Sequence, residues 1–313
     1  MTNQLNKILV TPRSVTRSGH PALERLGATG CEVVFATPGV QPDEAELLAR
    51  LPGCAGYLAG VEKVSAKVLE AASPTLRVIA RNGVGIDNVD LAAAARLGLR
   101  VLPTPGANAR GVAELALALM LALARHVAWS DAQLKSGQWQ RRQGFELEGR
   151  VLGLVGCGRI GRLVARMARG LDMSVIGYDP CPTDGGCGDL KYCRLDELLA
   201  AADVISLHCP AAADGQPLID AAALAKMKPG ALLVNTARAG LMDSAAVIEA
   251  LDNGRLAGAA VDVFETEPPR DDPLVRHQNV IATPHIGGYT AESVDRAISS
   301  AVENILAVLQ PDR

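Results

Sequence analysis

Residues 151–165 read VLGLVGCGRIGRLVA, and this stretch decides the fold of the second half of the chain. A short apolar run is followed by three glycines spaced G-x-G-x-x-G and then by a helical pattern of apolar residues. This order predicts a strand, a tight turn and a helix. Gly156 is expected to form the turn, Gly158 to let a pyrophosphate approach the backbone, and Gly161 to let helix and strand pack closely.

A carboxylate completes this pattern at the end of the next predicted strand. Asp179 stands where a nucleotide-binding fold places the acid that binds the adenine ribose hydroxyls. No Arg or Lys follows it directly, so a 2′-phosphate would meet only repulsion, and NAD is favoured over NADP. The first helical amides, those of Arg159 and Ile160, are expected to face the phosphates. The alternative is a structural βαβ unit without a ligand.

Short apolar runs alternate with Ala- and Leu-rich helical stretches along the whole chain, which is typical of parallel α/β folds. Predicted strands lie near 7–10, 32–35, 55–58, 77–80, 100–102, 150–155, 174–178, 204–207, 232–235, 258–263 and 280–282. Predicted helices lie near 20–26, 44–51, 65–72, 90–97, 109–129 and 291–309. The prolines and glycine of 103–106 predict a domain boundary. The last helix, N-capped by Thr290, is amphipathic and is able to return to the first domain.

Composition excludes several classes of protein. Among 313 residues, 49% are hydrophobic and 21% charged, and the net charge of −3 leaves no basic stripe for nucleic acid. The longest apolar run, 115–124, is too short to span a bilayer, and the N-terminus does not resemble a signal peptide. The seven cysteines form no C-x-x-C pair, so we expect no metal site and a cytoplasmic protein with reduced thiols. A redox role for Cys181, Cys187 and Cys193 is the alternative.

Side chains suited to proton transfer and carboxylate binding follow strands of the second half. Among the five histidines, only His208 and His285 come just after a predicted strand. Glu267 and Arg238 follow two other strands. A Glu beside an imidazole raises the pKa of that imidazole. A guanidinium binds a carboxylate through two parallel hydrogen bonds. Each charge taken singly is more often a solvated loop residue. Together, at one edge of a nucleotide-binding sheet, they indicate hydride exchange at a hydroxyl-bearing carbon.

Several segments resemble the D-2-hydroxyacid dehydrogenase family, and most closely its phosphoglycerate dehydrogenase branch. The similarity is carried by RNGVGIDNVD at 81–90, the 156–161 loop with Asp179, LHCP at 207–210, NTAR at 235–238, DVFETEP at 262–268 and TPHIGG at 283–288. It implies an α/β fold of two doubly wound parallel-sheet domains with a cleft between them. A Rossmann NAD-binding domain, 104–286, would be inserted in a flavodoxin-like substrate domain formed by 1–103 and 287–313.

The resemblance also implies a role for each matching residue. His285 would be the acid–base, Glu267 its partner, and Arg238 the group that binds the substrate carboxylate and reacting oxygen. Glu265 is a rival to Glu267, which we prefer because it directly precedes proline. The other implied substrate contacts are Gly60, Val61, Asn82 and Gly83. The implied NAD contacts are Val84, Gly156, Gly158, Arg159, Ile160, Gly161, Asp179, Cys209, Pro210, Thr236, Ala237, Arg238, Asp262, His285, Gly287 and Gly288.

The sequence departs from phosphoglycerate dehydrogenases in the loop after the third strand. That branch usually carries an Arg there for the substrate phosphate, whereas residues 58–63 read LAGVEK. Arg81 and Lys63 remain able to meet an anionic tail, so phosphoglycerate stays open beside hydroxypyruvate and glyoxylate. Ala239 stands where the family commonly has Gly. The runner-up class is a non-catalytic, NAD(H)-sensing protein like the family's co-repressors. The expected partners are a small 2-hydroxy or 2-keto acid and a second copy of the chain in a homodimer.

Overall fold

A computed structural model describes residues 6–180, 190–212 and 214–310. By contact clustering the chain divides into two compact units. Unit 1 comprises 1–108 together with 290–313, and unit 2 comprises 109–289. Of the cysteines for which a redox role was considered, Cys181 and Cys187 lie outside the described residues.

Unit 1 is built around a parallel sheet that has five strands within the described residues, in the order β2-β1-β3-β4-β5. Its strands are β1 (Asn6–Val10), β2 (Cys31–Phe35), β3 (Cys54–Ala59), β4 (Val78–Arg81) and β5 (Arg100–Leu102). Its helices are α1 (Arg13–Ser18), a 3-10 turn (Pro21–Leu23), α2 (Glu24–Ala28), α3 (Glu44–Arg50), α4 (Ala66–Ala72), α5 (Leu91–Arg96) and α13 (Ala291–Leu309).

The last helix of the chain belongs to unit 1. Thr290 caps α13, because its Oγ1 accepts a hydrogen bond of 3.1 Å from the backbone N–H of Ser293. The apolar face of α13 packs with Ile8 and Val10 of β1 in one core cluster, through Ile298, Val302, Ile305 and Leu309. Burial of this face removes apolar surface from water and fixes the C-terminal segment on the first sheet.

Unit 2 is built around a second parallel sheet, with seven strands among the residues described, in the order β12-β11-β10-β9-β6-β7-β8. Its strands are β6 (Val151–Val155), β7 (Ser174–Tyr178), β8 (Lys191–Tyr192), β9 (Val204–Leu207), β10 (Ala231–Asn235), β11 (Leu256–Val261) and β12 (Val280–Ala282). Its helices are α6 (Ala109–Ala124), α7 (Val127–Lys135), α8 (Arg159–Arg169), α9 (Leu195–Ala201), α10 (Ala221–Lys226), a 3-10 turn (Ala239–Leu241), α11 (Ser244–Asp252) and α12 (Pro273–Arg276). The parallel α/β fold predicted from the sequence is confirmed.

The predicted helix 109–129 is wrong as a single element. It breaks after Ala124, and a second helix begins at Val127 at an angle of 64°. His126 lies at the break in the left-handed region (φ 51°), and its Nε2 lies 3.2 Å from the carbonyl oxygen of Gln143. A side chain held by a distant loop therefore ends the helix, although local composition favours its continuation.

Smaller elements also differ from the prediction. The helix α1 and the short strand β8 were not predicted, and the predicted helix 20–26 is a 3-10 turn followed by α2. The strand β11 ends at Val261, which leaves Asp262 and Val263 in the loop that follows. Within the described ranges no single helix is long and apolar enough to cross a membrane; α6 and α7 taken together pass that test by length and composition.

Candidate active site

The strand order of the second sheet reverses between β6 and β9. The chain runs from β6 outward to β7 and β8, then returns to β9 on the other side of β6. In open parallel sheets, the loops that leave the carboxyl ends at such a reversal form the ligand crevice. Here those loops are the glycine-rich turn that begins at Gly156 and the segment His208–Pro210.

Two of the three glycines in this turn are required by close packing, and the third faces open space. A Cβ on Gly156 would lie 2.6 Å from the carbonyl carbon of His208, and Gly156 has φ +93°. A Cβ on Gly161 would lie 2.2 Å from the carbonyl oxygen of Gly156. At Gly158, by contrast, nothing lies within 4 Å of a Cβ. The turn thus packs tightly against β9 while exposing its middle, as phosphate binding needs.

Gly158 is also the N-cap of α8, which begins at Arg159. A glycine has no side chain with which to cap this helix end. Its first-turn amides and the positive end of its dipole therefore remain directed at the open side of the turn. Arg159 is exposed and Ile160 half-buried at this end of the helix, as expected for residues beside a bound phosphate group.

Asp179 is tied to the same turn. Its Oδ2 accepts a 2.8 Å hydrogen bond from the backbone N–H of Cys157. Asp179 follows β7, which is the neighbour of β6 in the sheet, so its carboxylate lies at the edge from which the turn leaves. This position suits an acid that binds the ribose hydroxyls of a dinucleotide.

His285 and Glu267 form a hydrogen-bonded pair. His285 Nδ1 lies 2.8 Å and 2.9 Å from the two carboxylate oxygens of Glu267, and both side chains are partly exposed. Because Nδ1–H donates to this carboxylate, Nε2 is the nitrogen that exchanges a proton with another molecule. Glu267, rather than Glu265, thus supplies the carboxylate in contact with the imidazole.

The surroundings of His285 raise its pKa above the ordinary value. The largest cause is the hydrogen bond to Glu267, which raises the pKa, whereas burial of the imidazole lowers it. The negative charges of Glu267 and Asp262 raise the pKa further, and the positive charge of Arg238 lowers it. A His that titrates above its usual range carries a proton for donation at neutral pH and still releases it readily.

The loop that carries His285 is held by Asp262, which is almost fully buried. Asp262 Oδ1 accepts hydrogen bonds from Thr283 Oγ1 (2.6 Å) and Ile286 N (2.8 Å), and Oδ2 accepts one from Gly287 N (2.8 Å). His285 itself has φ +53°, which is uncommon outside Gly, Asn, Asp and His. Asp262 therefore holds the backbone on both sides of a residue in the left-handed region.

Arg238 lies in a tight turn after β10, the strand next to β11. Asn235 shapes this turn, since its Oδ1 accepts a hydrogen bond from Ala237 N (3.0 Å) and its Nδ2 donates one to the carbonyl of Arg238 (2.8 Å). The guanidinium of Arg238 donates to the carbonyl of Ala237 at 2.7 Å and is half-buried. The charge of Arg238 is among the causes that act on the pKa of His285, and it lowers that pKa.

His208, the other histidine that follows a strand, is not an acid–base candidate. Its Nε2 lies 2.9 Å from Ser206 Oγ, and burial lowers its pKa to about 4. It is therefore neutral at physiological pH and lies behind the glycine-rich turn. Cys193 is a free thiol whose pKa is raised, first by burial, which does not favour thiolate chemistry.

The substrate residues predicted in unit 1 lie at the carboxyl ends of two neighbouring strands. Gly60 and Val61 follow β3, and Asn82, Gly83 and Val84 follow β4. The two strands pair in parallel, with Ala59 opposite Arg81, so the two loops leave the same edge of the first sheet side by side.

Comparison with known proteins identifies the family. Residues 117–287 match the model of the D-isomer specific 2-hydroxyacid dehydrogenase NAD binding domain. A hydroxypyruvate reductase of Thermotoga maritima is 44% identical over 252 residues, which cover 79% of this chain and 82% of that protein. The chain belongs to the D-isomer specific 2-hydroxyacid dehydrogenase family. This membership confirms the family resemblance and NAD as the cofactor predicted from the sequence.

Two further 2-hydroxyacid dehydrogenase relatives are informative. A D-3-phosphoglycerate dehydrogenase of Mycobacterium tuberculosis is 43% identical over 273 residues, which cover 86% of this chain but 52% of that enzyme. The chain therefore spans about half the length of the phosphoglycerate dehydrogenases that it matches. The crystal structure of D-lactate dehydrogenase from Aquifex aeolicus complexed with NAD and lactic acid superposes with a TM-score of 0.84 at 28% identity, covering 97% of this chain and 96% of that one.

Unit 2 fits the NAD of a 2-hydroxyacid dehydrogenase. Besides the open glycine-rich turn and Asp179, Thr236 Oγ1 is buried and has no hydrogen-bond partner in the part of the chain that the structure describes. A buried hydroxyl of this kind needs a partner, and a polar group of a bound cofactor supplies one. Cys209 and Pro210 follow β9 at the strand reversal, and Ala237 follows Thr236 at the end of β10.

Sequence reasoning did not single out Asn235, which shapes the turn that carries Arg238, although it quoted the segment that contains it. An Asn directly after an apolar strand and before Thr-Ala-Arg is typical of a turn closed by its own side chain. That signal was available at residues 235–238.

Proposed function

We propose that this chain is an NAD-dependent oxidoreductase that interconverts a small 2-keto acid and its D-2-hydroxy acid. The observation that carries the proposal is the His285–Glu267 pair, at 2.8 Å, at the same edge of the sheet as the glycine-rich NAD turn. A non-catalytic NAD-binding protein has no need of an imidazole with a raised pKa or of a guanidinium turn beside it.

In reduction, His285 Nε2 donates its proton to the carbonyl oxygen of the keto acid, which becomes the hydroxyl. Glu267 stabilises the imidazolium before this transfer and keeps the ring in the orientation in which Nδ1 points away from the substrate. In oxidation, neutral His285 accepts the hydroxyl proton at Nε2. Bound NADH supplies the hydride to the carbonyl carbon in one direction, and NAD accepts it in the other.

Arg238 binds the substrate in this proposal. A guanidinium offers two parallel N–H donors to a carboxylate and polarises the neighbouring carbonyl oxygen. The turn built by Asn235 presents this side chain from the end of β10, and its positive charge lowers the pKa of His285. Gly60, Val61, Asn82 and Gly83 stay predicted substrate contacts, and Val84, Asp262, Gly287 and Gly288 stay predicted NAD contacts.

A steady-state assay tests the proposal. The purified chain is mixed with NADH and, one at a time, with glyoxylate, hydroxypyruvate, pyruvate and phosphohydroxypyruvate, and NADH oxidation is followed at 340 nm. We expect turnover with at least one of these acids, and a much lower kcat/KM with NADPH because Asp179 repels a 2′-phosphate. NADH binding without any oxidation would contradict the proposal and favour a cofactor-sensing protein. Equal rates with NADPH would contradict the role of Asp179.

We further propose that the chain is a cytoplasmic homodimer. Most of α6 packs in the core of unit 2. Large apolar side chains are exposed on α7 and on the segment after it: Trp139 is 84% exposed, and Val127 and Leu134 are each 56% exposed. Such a patch is typical of a protein–protein surface. Light scattering is expected to give twice the 32.6 kDa chain mass, and a monomer would contradict this proposal.

A further inference from the structure

A buried carboxylate lies beneath the first predicted substrate loop. Glu62 is 2% exposed. Its Oε1 accepts hydrogen bonds from Tyr57 OH (2.5 Å), from the backbone N–H of Gly60 (2.8 Å) and from Thr11 Oγ1. A carboxylate taken out of water is stable only with several such donors.

This carboxylate also explains why residue 60 is Gly. A Cβ at that position would lie 2.6 Å from Glu62 Oε2, so the side chain of Glu62 folds back against the Cα of Gly60. Tyr57 stays protonated as a donor, because burial first, and then the charge of Glu62, raise the pKa of its phenol. The sharp reversal from residue 60 to residue 62 is thereby locked to strands β1 and β3.

A buried cation, Arg81, holds the second predicted substrate loop, which begins at Asn82, as Glu62 holds the first. Arg81, at the end of β4, is 9% exposed, and its guanidinium donates to the carbonyl of Asn82 and, at 3.3 Å, to Asn88 Oδ1. Asn88 Nδ2 in turn donates to the carbonyl of Glu62 at 2.7 Å. Arg81 and Glu62 are thus parts of one network that ties both loops together.

Apart from Lys63, the groups that these loops offer to a ligand are neutral. The amides of Gly60, Asn82 and Gly83 donate to groups within unit 1. The amides of Val61 and Val84 donate to no group in the described ranges, and these two side chains are 39% and 44% exposed. Two free N–H donors flanked by two valines suit a carboxylate next to a small apolar or hydroxylated group.

Lys63 is the exposed cation of these loops. Within residues 60–63 and 81–84, the remaining charges, Glu62 and Arg81, are both buried. Apart from Lys63, a phosphate on the substrate would therefore meet two valines and no exposed cation of these loops.

We propose that the Glu62–Arg81 network makes the two loops selective for 2-keto acids with an uncharged tail, such as glyoxylate or hydroxypyruvate, over phosphorylated 2-keto acids. This inference rests on the proposed function and narrows its substrate class. It assigns Glu62 and Arg81 as positioning residues, which act through the loop backbone, and Val61 as the side chain that selects the substrate.

The substrate panel tests the selectivity directly. We expect kcat/KM for hydroxypyruvate to exceed that for phosphohydroxypyruvate by about 100-fold, since a phosphate that loses its hydration without gaining a cation is strongly disfavoured. Equal or higher kcat/KM for the phosphorylated acid would overturn the inference, and loss of that activity in Lys63→Ala would then identify Lys63 as the cation. Turnover of none of the acids would instead contradict the proposed function itself.

Variants test the residues. Val61→Arg is expected to raise kcat/KM for phosphohydroxypyruvate relative to hydroxypyruvate at least about tenfold, because one charge-assisted hydrogen bond has roughly that value. Val40→Arg is the matched control, since Val40 is exposed on the loop after β2, outside the two substrate loops. An unchanged preference in Val61→Arg, or the same change in Val40→Arg, would refute the role of Val61.

Variants of Tyr57 and Glu62 test whether the Glu62–Arg81 network positions the loops. Tyr57→Phe removes one donor to Glu62 with little loss of volume, and Glu62→Gln keeps an acceptor oxygen. We expect both to raise KM for hydroxypyruvate several-fold while kcat and the Kd of NADH stay constant, with Glu62→Ala more affected than Glu62→Gln. A fall in melting temperature without any change in KM would show that the network only stabilises the fold and would overturn its positioning role.

Discussion

His285→Ala is expected to lower kcat for keto-acid reduction by about 10²–10⁴-fold, because the variant has lost the group that donates the proton. The Kd for NADH, measured by the fluorescence of the bound cofactor, should change little, since the glycine-rich turn and Asp179 remain intact. kcat should also lose its dependence on pH across the range in which His285 titrates. The result separates proton transfer from cofactor binding.

Two further variants control for the loop itself. His285 has φ +53°, so Ala at this position adds backbone strain to the loss of the imidazole. His285→Asn tolerates this conformation better and should lose just as much activity. His277→Ala, in the same unit next to β12, should retain kcat. Near-normal turnover in His285→Asn would rule out the imidazole as the acid–base, whatever its distance from Glu267.

The sequence predicted the parts of the fold that depend on local patterns. The strands that carry the site were placed within one or two residues, because these apolar runs are too short for helices and are bounded by Gly, Asn or Asp. The glycine-rich turn and Asp179 were also predictable, since each position has a stated steric or electrostatic reason. The pairing of His285 with Glu267 came from the resemblance; spacing alone left Glu265 as a rival.

Other features depend on contacts between distant segments and could not be predicted. The helix break at His126 involves the carbonyl of Gln143, which lies after the helix that follows. The burial of Glu62 requires Thr11 and Tyr57, which lie on or beside other strands. In sequence, an acid in a loop reads as a solvated charge. Only the pairing of β1 with β3 brings Thr11 and Tyr57 together around Glu62 and buries this acid beneath the loop.

Glu267→Gln is expected to shift the pH dependence of catalysis to lower pH. The titratable and charged groups that act on His285 are Glu267, Asp262 and Arg238, and the hydrogen bond that Nδ1–H donates to Glu267 is the largest cause of its raised pKa. Gln retains the shape of the side chain and a hydrogen-bonding group but removes the negative charge, so the pKa of His285 should fall. Reduction needs protonated His285, so as the pH is raised its rate should begin to fall at a lower pH value than in the wild type. Oxidation needs neutral His285, so as the pH is raised its rate should begin to increase at a lower pH value than in the wild type.

The matched control is Glu265→Gln, which neutralises an exposed acid of the same loop two residues away. It should leave both pH profiles in place, whereas Glu267→Gln should also lower kcat at neutral pH by on the order of tenfold, a part of the full acid–base contribution. An identical shift in both variants would mean that the general negative charge of the loop, and not the bond to Nδ1, sets the pKa. No shift in Glu267→Gln would mean that the 2.8 Å contact has no role in proton transfer, and the acid–base would then have to draw its raised pKa from Asp262 alone.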